Sequence, residues 1–201
     1  MVEISQSNSW MHTDEAAAIE MARAGDRDAF RTLVEQHGRN VFRVAWRLTG
    51  NEQDAEDMVQ ETFLKAYRQI AKFDGRAQFA TWITRIAVNC SLDLLRARQR
   101  RGEAVEINES IERSPGVSPE QELLSKQIGA RLQFALGKLS PAERAAFILR
   151  HYEGAPIEEI ARTLAKPAGA TRHCIFRAVQ KLREALAPFA SPARACGRPE
   201  A

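Results

Sequence analysis

The sequence predicts an all-α protein made of two small helical domains joined by a flexible acidic linker. Three observations carry that expectation. Apolar residues recur at three-and-four spacing through both halves, with no alternating strand pattern. Between the halves, residues 102–118 (GEAVEINESIERSPGVS) lose that period and gain acid, Pro and Gly. The chain has 201 residues, 44% hydrophobic and 27% charged, which suits two small globular domains.

Residues 1–13 read as a disordered tail, without the basic start or apolar stretch of a signal peptide. Asp26, after Gly25, can cap a helix whose inward stripe is Phe30, Leu33, Val34, Val41, Val44 and Leu48. Thr49-Gly50-Asn51 breaks that period, and Asn51 can cap the next helix, with Ala55, Met58, Val59, Thr62, Phe63, Ala66 and Ile70 inward. A loop around Phe73-Asp74-Gly75-Arg76 leads to a helix carrying Phe79, Trp82, Ile83, Ile86, Cys90 and Leu94. These stripes can bury one another in a first domain over 14–101.

A second domain is expected over 119–187. Ser118-Pro119-Glu120-Gln121 and Ser140-Pro141-Ala142-Glu143 both read as capping boxes, with Ser at the cap and Pro at the first helical position. A short helix should start near Pro156 with Ile157, Ile160, Ala161 and Leu164 inward. After Ala165-Lys166-Pro167 a longer one should bury Thr171, Ile175, Val179, Leu182 and Leu186. Residues 188–201, rich in Pro and Ala, read as a disordered tail.

The formal net charge of +3 says less than its distribution. Residues 51–61 carry five acids and no base, and 76–101 carry six arginines against Asp93 alone. Residues 103–112 hold Glu103, Glu106, Glu109 and Glu112, and residues 166–183 hold Lys166, Arg172, Arg177, Lys181 and Arg183 without an acid. A single charge run is ordinarily a solvated face. Two basic blocks, each at the end of a helical segment, point to nucleic acid. Cys90, Cys174 and Cys196 are scattered and form no disulfide framework. No apolar run approaches the roughly 20 residues that span a bilayer, so a cytoplasmic location is expected, without membrane insertion.

Residues 156–186 have the form of a helix-turn-helix, whose second helix enters the major groove. The inward set leaves Arg172, His173, Phe176 and Arg177 outside. Arginine reads guanine edges bidentately, and an aromatic ring packs on a thymine methyl. Lys181 and Arg183 are placed for phosphates. In the helix from Phe79 to Arg101, Arg85, Asn89, Arg96 and Arg100 share a side with Asp93, which suits unstacked single strands. Trp82 can stack on a base or belong to the core.

Four stretches together, DAEDMVQETFLKAYR (54–68), FDGRAQFATWITRIAVNCSLDLLR (73–96), LSPAERAAFILRHYEGAPIEEIA (139–161) and GATRHCIFRAVQKLR (169–183), resemble the extracytoplasmic-function (ECF, group IV) sigma factors of the bacterial sigma-70 family. The resemblance covers residues 14–186 in the family's order. It implies a sigma region 2-like bundle that grips core RNA polymerase and captures the melted −10 element, and a sigma region 4-like helix-turn-helix that reads the −35 duplex. Asp54, Asp57, Gln60 and Glu61 match the polymerase-binding motif. Arg76, Phe79, Arg85, Asn89, Asp93 and Arg96 match the −10 element, and Arg172, His173, Phe176, Arg177 and Lys181 fall in the −35 module. The resemblance also implies an anti-sigma factor as partner. It admits two roles for the acidic linker: threading the polymerase's RNA channel, or serving as a solvated tether. His173-Cys174 stand where the family has a small polar residue and an Arg, Thr171 replaces an aliphatic residue, and Ala155-Pro156 replaces a serine cap.

Losing about ten base-pair steps at roughly 1.4 kcal/mol each costs on the order of 14 kcal/mol. No GxxxxGK[ST] loop supplies a nucleotide-driven motor. Strand opening is therefore expected to need the polymerase, and no enzyme activity or cofactor is expected. Asp54, Glu56, Asp57 and Glu61 as a nuclease metal site lack a second acidic cluster or a nearby His. His173-Cys174 with Cys196 match a zinc site poorly. A stand-alone operator binder leaves the first domain without a task. A decoy that only titrates a regulator leaves the arginine-rich helix end unexplained.

Overall fold

The computed structural model of the protein describes residues 7–102, 129, 131, 132 and 134–187, with side chains from residue 15 onward. The described residues are helical, with no strand among them. The tail over 188–201, the first capping box at Ser118, residues 103–118 of the expected linker and Cys196 lie outside them. The chain divides into two compact units, Met1–Leu94 and Leu95–Ala201. The division therefore falls inside a helix rather than at residue 102, because that helix is continuous to Arg101.

In the first unit, α1 (Ser7–Arg23) starts ahead of residue 14, where the first domain was expected to begin. It continues through EAAAIEMAR, a run of strong helix formers. Asp26 caps α2 (Arg27–Thr49), its carboxylate accepting from the backbone N–H of Asp28 at 2.8 Å and Ala29 at 3.0 Å. Gly50 ends α2 in the left-handed region at φ 74°, and its N–H closes on the Trp46 carbonyl at 2.7 Å. Asn51 then caps α3 (Glu52–Gln69) by accepting from Asp54 N–H at 3.0 Å. A 3₁₀ turn over Ile70–Lys72 and a short loop lead to α4 (Phe79–Arg101).

The core of this unit joins Ala18 and Ala22 of α1, Phe30, Leu33 and Val41 of α2, Phe63 and Ala66 of α3, and Phe79, Ile83 and Ala87 of α4. Aromatic edges lock it. Phe30 meets Phe63 and Tyr67 edge-on with centroids 6.4 and 5.0 Å apart, and Phe73 meets Phe79 at 5.8 Å. Trp82 is half-buried against Phe73 and Phe79 at 5.2 and 5.4 Å, so it belongs to the core's edge. Of the stripe expected on α4, Phe79, Ile83 and Cys90 are buried while Trp82, Ile86 and Leu94 are half-buried, and Val88, Ser91 and Leu92 are buried beside them.

In the second unit, residues 134–137 are helical and precede α5 (Pro141–His151), α6 (Ile157–Thr163) and α7 (Ala168–Leu186). The capping box expected at Ser140 forms. Ser140 Oγ accepts from Glu143 N–H, and Glu143 Oε2 accepts from Ser140 N–H at 3.0 Å. Pro156 and Pro167 sit at the cap positions of α6 and α7 rather than at the first helical position, and neither gives a side-chain cap bond. Pro at the cap lies in extended backbone (ψ 155° and 148°), where its fixed φ fits equally well.

The seam of α7 is Thr171, Cys174, Ala178 and Leu182, while Ile175, Val179 and Leu186, expected inward, are only half-buried. Cys174 and Ala178 are small, and small residues let helices approach most closely. Apolar periodicity weighs large residues and misses them. Ala178 and Leu182 pack on Ala135, Leu136 and Leu139. Arg144 of α5 is almost wholly buried, and burial pulls its guanidinium pKa down to about 10, still charged at neutral pH.

Two predictions follow from this unit. The turn between α6 and α7 passes through Ala165 at φ 50°, a conformation that costs a residue with a Cβ roughly 1–2 kcal/mol. Ala165→Gly should raise stability to urea by about 0.5–1 kcal/mol, after subtracting the added unfolded-state entropy. The second concerns Glu143. Burial raises its pKa, but hydrogen bonds from Lys181 and Ser140 outweigh this, and the net shift is below the ordinary 4.5. Its stabilising contribution is full above that value and is lost as pH falls through the depressed folded value. Melting temperature measured between pH 6 and 3 should fall less steeply for Glu143→Gln than for the wild type.

Candidate nucleic-acid interface

The turn Leu164-Ala165-Lys166-Pro167 is closed by Lys166 N–H to the Ala161 carbonyl at 2.9 Å, which sets α7 at a fixed angle to α6. With the Thr171–Leu182 seam turned inward, Arg172, His173, Phe176 and Arg177 are all exposed, as their spacing predicted. Phe176 stands 61% exposed between arginines. A solvent-facing phenyl ring on a basic helix contributes nothing to the unit's own core and is available for an apolar contact.

Glu143 organises the rear of this helix. It is a buried carboxylate on α5, and both of its oxygens meet cations of α7. Arg177 Nε lies 3.3 Å from Oε1 and Lys181 Nζ 2.8 Å from Oε2. Lys181, expected on a phosphate, is thus paired with a carboxylate of its own unit while its side chain stays half exposed. Sequence reasoning missed Glu143 because its capping role accounted for it. The signal was its place in α5 opposite a basic helix, which only packing reveals.

In the first unit, Arg76 sits in the loop, its backbone N–H and its guanidinium both held by Asp74 at 3.2 Å. Arg85 is half-buried, and Asn89, Asp93 and Arg96 are exposed, a single stripe at four-, four- and three-residue steps along α4. Phe79, matched to the same set, is not on that surface. It is 2% exposed, packed on Phe73, Trp82 and His37. An aromatic at the first position of α4 is where the loop must be pinned to the core, and this burial overrides the expected contact with a base.

The acidic face of α3 is also revised. Asp57 and Gln60 are exposed, and Glu61 is partly exposed with Lys65 at 3.3 Å. Asp54 is only 8% exposed, in the first turn of α3 over the Asn51 cap. The face continues with Leu64, 53% exposed, and Tyr67, so the surface is acidic and apolar together. The steps 57, 60, 64 and 67 could have shown this. Behind it, Lys65 Nζ lies 3.5 Å from Cys90 Sγ. Burial lowers the Lys65 pKa, but electrostatic interaction with Cys90 and hydrogen bonds with Glu61 and Cys90 outweigh it, and the net shift is upward.

Among the described residues no group of three or more His, Cys, Asp or Glu side chains is arranged to hold a metal ion. Cys90 and Cys174 are buried free thiols. No helix of the described residues is long and apolar enough to cross a membrane.

Comparison with known proteins finds a match for each of the two units. Residues 33–101 match the Sigma-70 region 2 family and residues 129–182 match the Sigma-70 region 4 family. The chain is 41% identical over 162 residues to the ECF RNA polymerase sigma factor SigE of Mycolicibacterium smegmatis, covering 79% of this chain but only 62% of that protein. It is 34% identical to the RNA polymerase sigma-H factor of Pseudomonas aeruginosa, covering 85% of this chain and 93% of the other. Among solved structures, CnrH in complex with the cytosolic domain of CnrY superposes with a TM-score of 0.61 at 28% identity, over 89% of this chain and 99% of that one. The sigma factor RpoE of Bartonella quintana, solved with the anti-sigma factor NepR, shares the fold at a TM-score of 0.62 and 24% identity, over 79% and 96%. The described residues thus carry an acidic helix, a polar and basic stripe and a helix-turn-helix in the family's order, and the chain belongs to the extracytoplasmic-function sigma factors of the sigma-70 family.

Proposed function

We propose that this protein binds core RNA polymerase and directs promoter-specific initiation, with α7 reading the −35 element as duplex and α4 with its preceding loop reading the melted −10 element. The observation that carries this reading is the outer face of α7. Arg172, His173, Phe176 and Arg177 are exposed together on the second helix of a helix-turn-helix within the region 4 match. Bidentate arginine and a thymine-methyl contact are the chemistry of major-groove reading. On α4, Arg85, Asn89, Asp93 and Arg96, with Arg76 in the loop, are the groups offered to unpaired bases.

The polymerase contact is assigned to the outer face of α3. Asp57, Gln60 and Glu61 supply charge complementarity to a basic partner, and Leu64 and Tyr67 supply apolar area. Asp54 supports this face from beneath rather than touching a partner. An anti-sigma factor that masks this face is the second partner, in keeping with the RpoE–NepR pairing among proteins of this fold. The activity is one of binding and DNA reading, without a catalytic step of its own, and it is exercised in the cytoplasm, where the polymerase is.

A pull-down with purified bacterial core RNA polymerase tests the reading. Wild-type protein should be retained, and Asp57→Arg should lose retention by tenfold or more, since a like charge is placed against the partner (about 1.4 kcal/mol per factor of ten). Folded wild-type protein that core polymerase does not retain would overturn the proposal in favour of a stand-alone operator binder. Transcription start mapping with the retained holoenzyme then yields its promoter.

A further inference from the structure

Glu143 lies outside the outward set of the reading helix, yet it controls two of that helix's cations. Its side chain is 4% exposed, whereas those of Arg177 and Lys181 are 61% and 47% exposed. The carboxylate cannot swing to follow a partner, because Oε2 is fixed at its base by Ser140 N–H. Both cations must come to it. Arg177 and Lys181 are one helical turn apart on α7, and their mutual repulsion is answered by one charge placed behind them.

The atoms used matter more than the charge. Arg177 is held by Nε. A guanidinium has five N–H donors in a rigid plane, so engagement at Nε leaves the two Nη groups as a preformed fork. That fork is what bidentate guanine reading requires. Lys181, by contrast, places its ammonium 2.8 Å from Oε2. An ammonium is a point charge with no rigid fork to aim, and the bond to a buried carboxylate tethers it to α5 rather than orienting it toward a base.

We propose that Glu143 is a positioning residue for promoter reading: it aims the Nη pair of Arg177 at the −35 duplex and ties Lys181 into the scaffold. This rests on the sigma reading above. It divides the basic residues of α7 into a reader, Arg177, and a strut, Lys181. It also makes discrimination depend on a residue of α5 that meets no DNA. Removing the Glu143 charge releases both cations to phosphates. Binding then gains a sequence-independent component and loses selectivity.

The test uses holoenzyme reconstituted from core polymerase and full-length protein, wild type, Glu143→Gln and Lys181→Met. Binding is measured across a salt series to the mapped promoter and to versions with each −35 base pair replaced. Glu143→Gln should lose about tenfold of wild-type discrimination at the base pair read by Arg177. Its log–log salt slope should steepen by roughly 0.9 for each cation released. Lys181→Met should keep the wild-type slope. A Lys181→Met slope shallower by roughly 0.9 means that Lys181 contacts a phosphate, and it overturns the proposal. So does wild-type discrimination in a folded Glu143→Gln protein. If Glu143→Gln does not fold, the Lys181→Met slope decides alone. Wild-type holoenzyme without any −35 preference strikes the sigma reading itself, and this proposal with it.

Discussion

A carboxylate withdrawn from water costs several kcal/mol unless its charge and lone pairs are answered. Glu143 is answered from three sides: by Ser140 N–H at its own helix start, by Arg177 and by Lys181. That requirement couples the start of α5 to the middle of α7. With α7 also held by the Thr171–Leu182 seam and the closed turn at Ala165, the helix has one orientation, and its outer residues have one outer side. The outward face of α7 is a consequence of how the inner side of the helix is satisfied.

The first unit solves a related problem differently. There, α4 must contribute to a core and still offer a polar stripe. It does so by burying Phe79, Ile83, Ala87, Val88 and Leu92 while Asn89 and Asp93 remain outside. The aromatic group of Phe73, Phe79 and Trp82 pins the loop that carries Arg76. Loops position functional groups well only when a rigid scaffold holds their ends. Phe79 therefore supports the loop and polar stripe of α4 from below, and Asp54 stands in the same relation to the acidic face of α3.

Much of this architecture was legible in the sequence because its signals are local. The caps at Asp26, Asn51 and Ser140 formed as read, since a cap needs only a few consecutive residues. The outer set of α7 followed from helical periodicity alone. The failures share a cause. Phe79 and Asp54 were matched to functional positions by motif, and motif spacing carries no information on depth. Cys174 and Ala178 were passed over because close approach selects small residues, which hydrophobic patterning does not weigh.

By itself, the sequence determined the helices from Asp26 onward, the caps at Asp26, Asn51 and Ser140, the helix-turn-helix and the family, because these depend on neighbours within one or two turns. Only the tertiary structure decided which of the matched residues face outward and which charges are already spent. Lys181 and Glu143 are 38 positions apart and meet through the packing of two helices. A basic residue in a basic helix looks the same in sequence whether its partner is a phosphate or a buried carboxylate. Burial and long-range pairing are properties of the folded surface, and no local pattern encodes them.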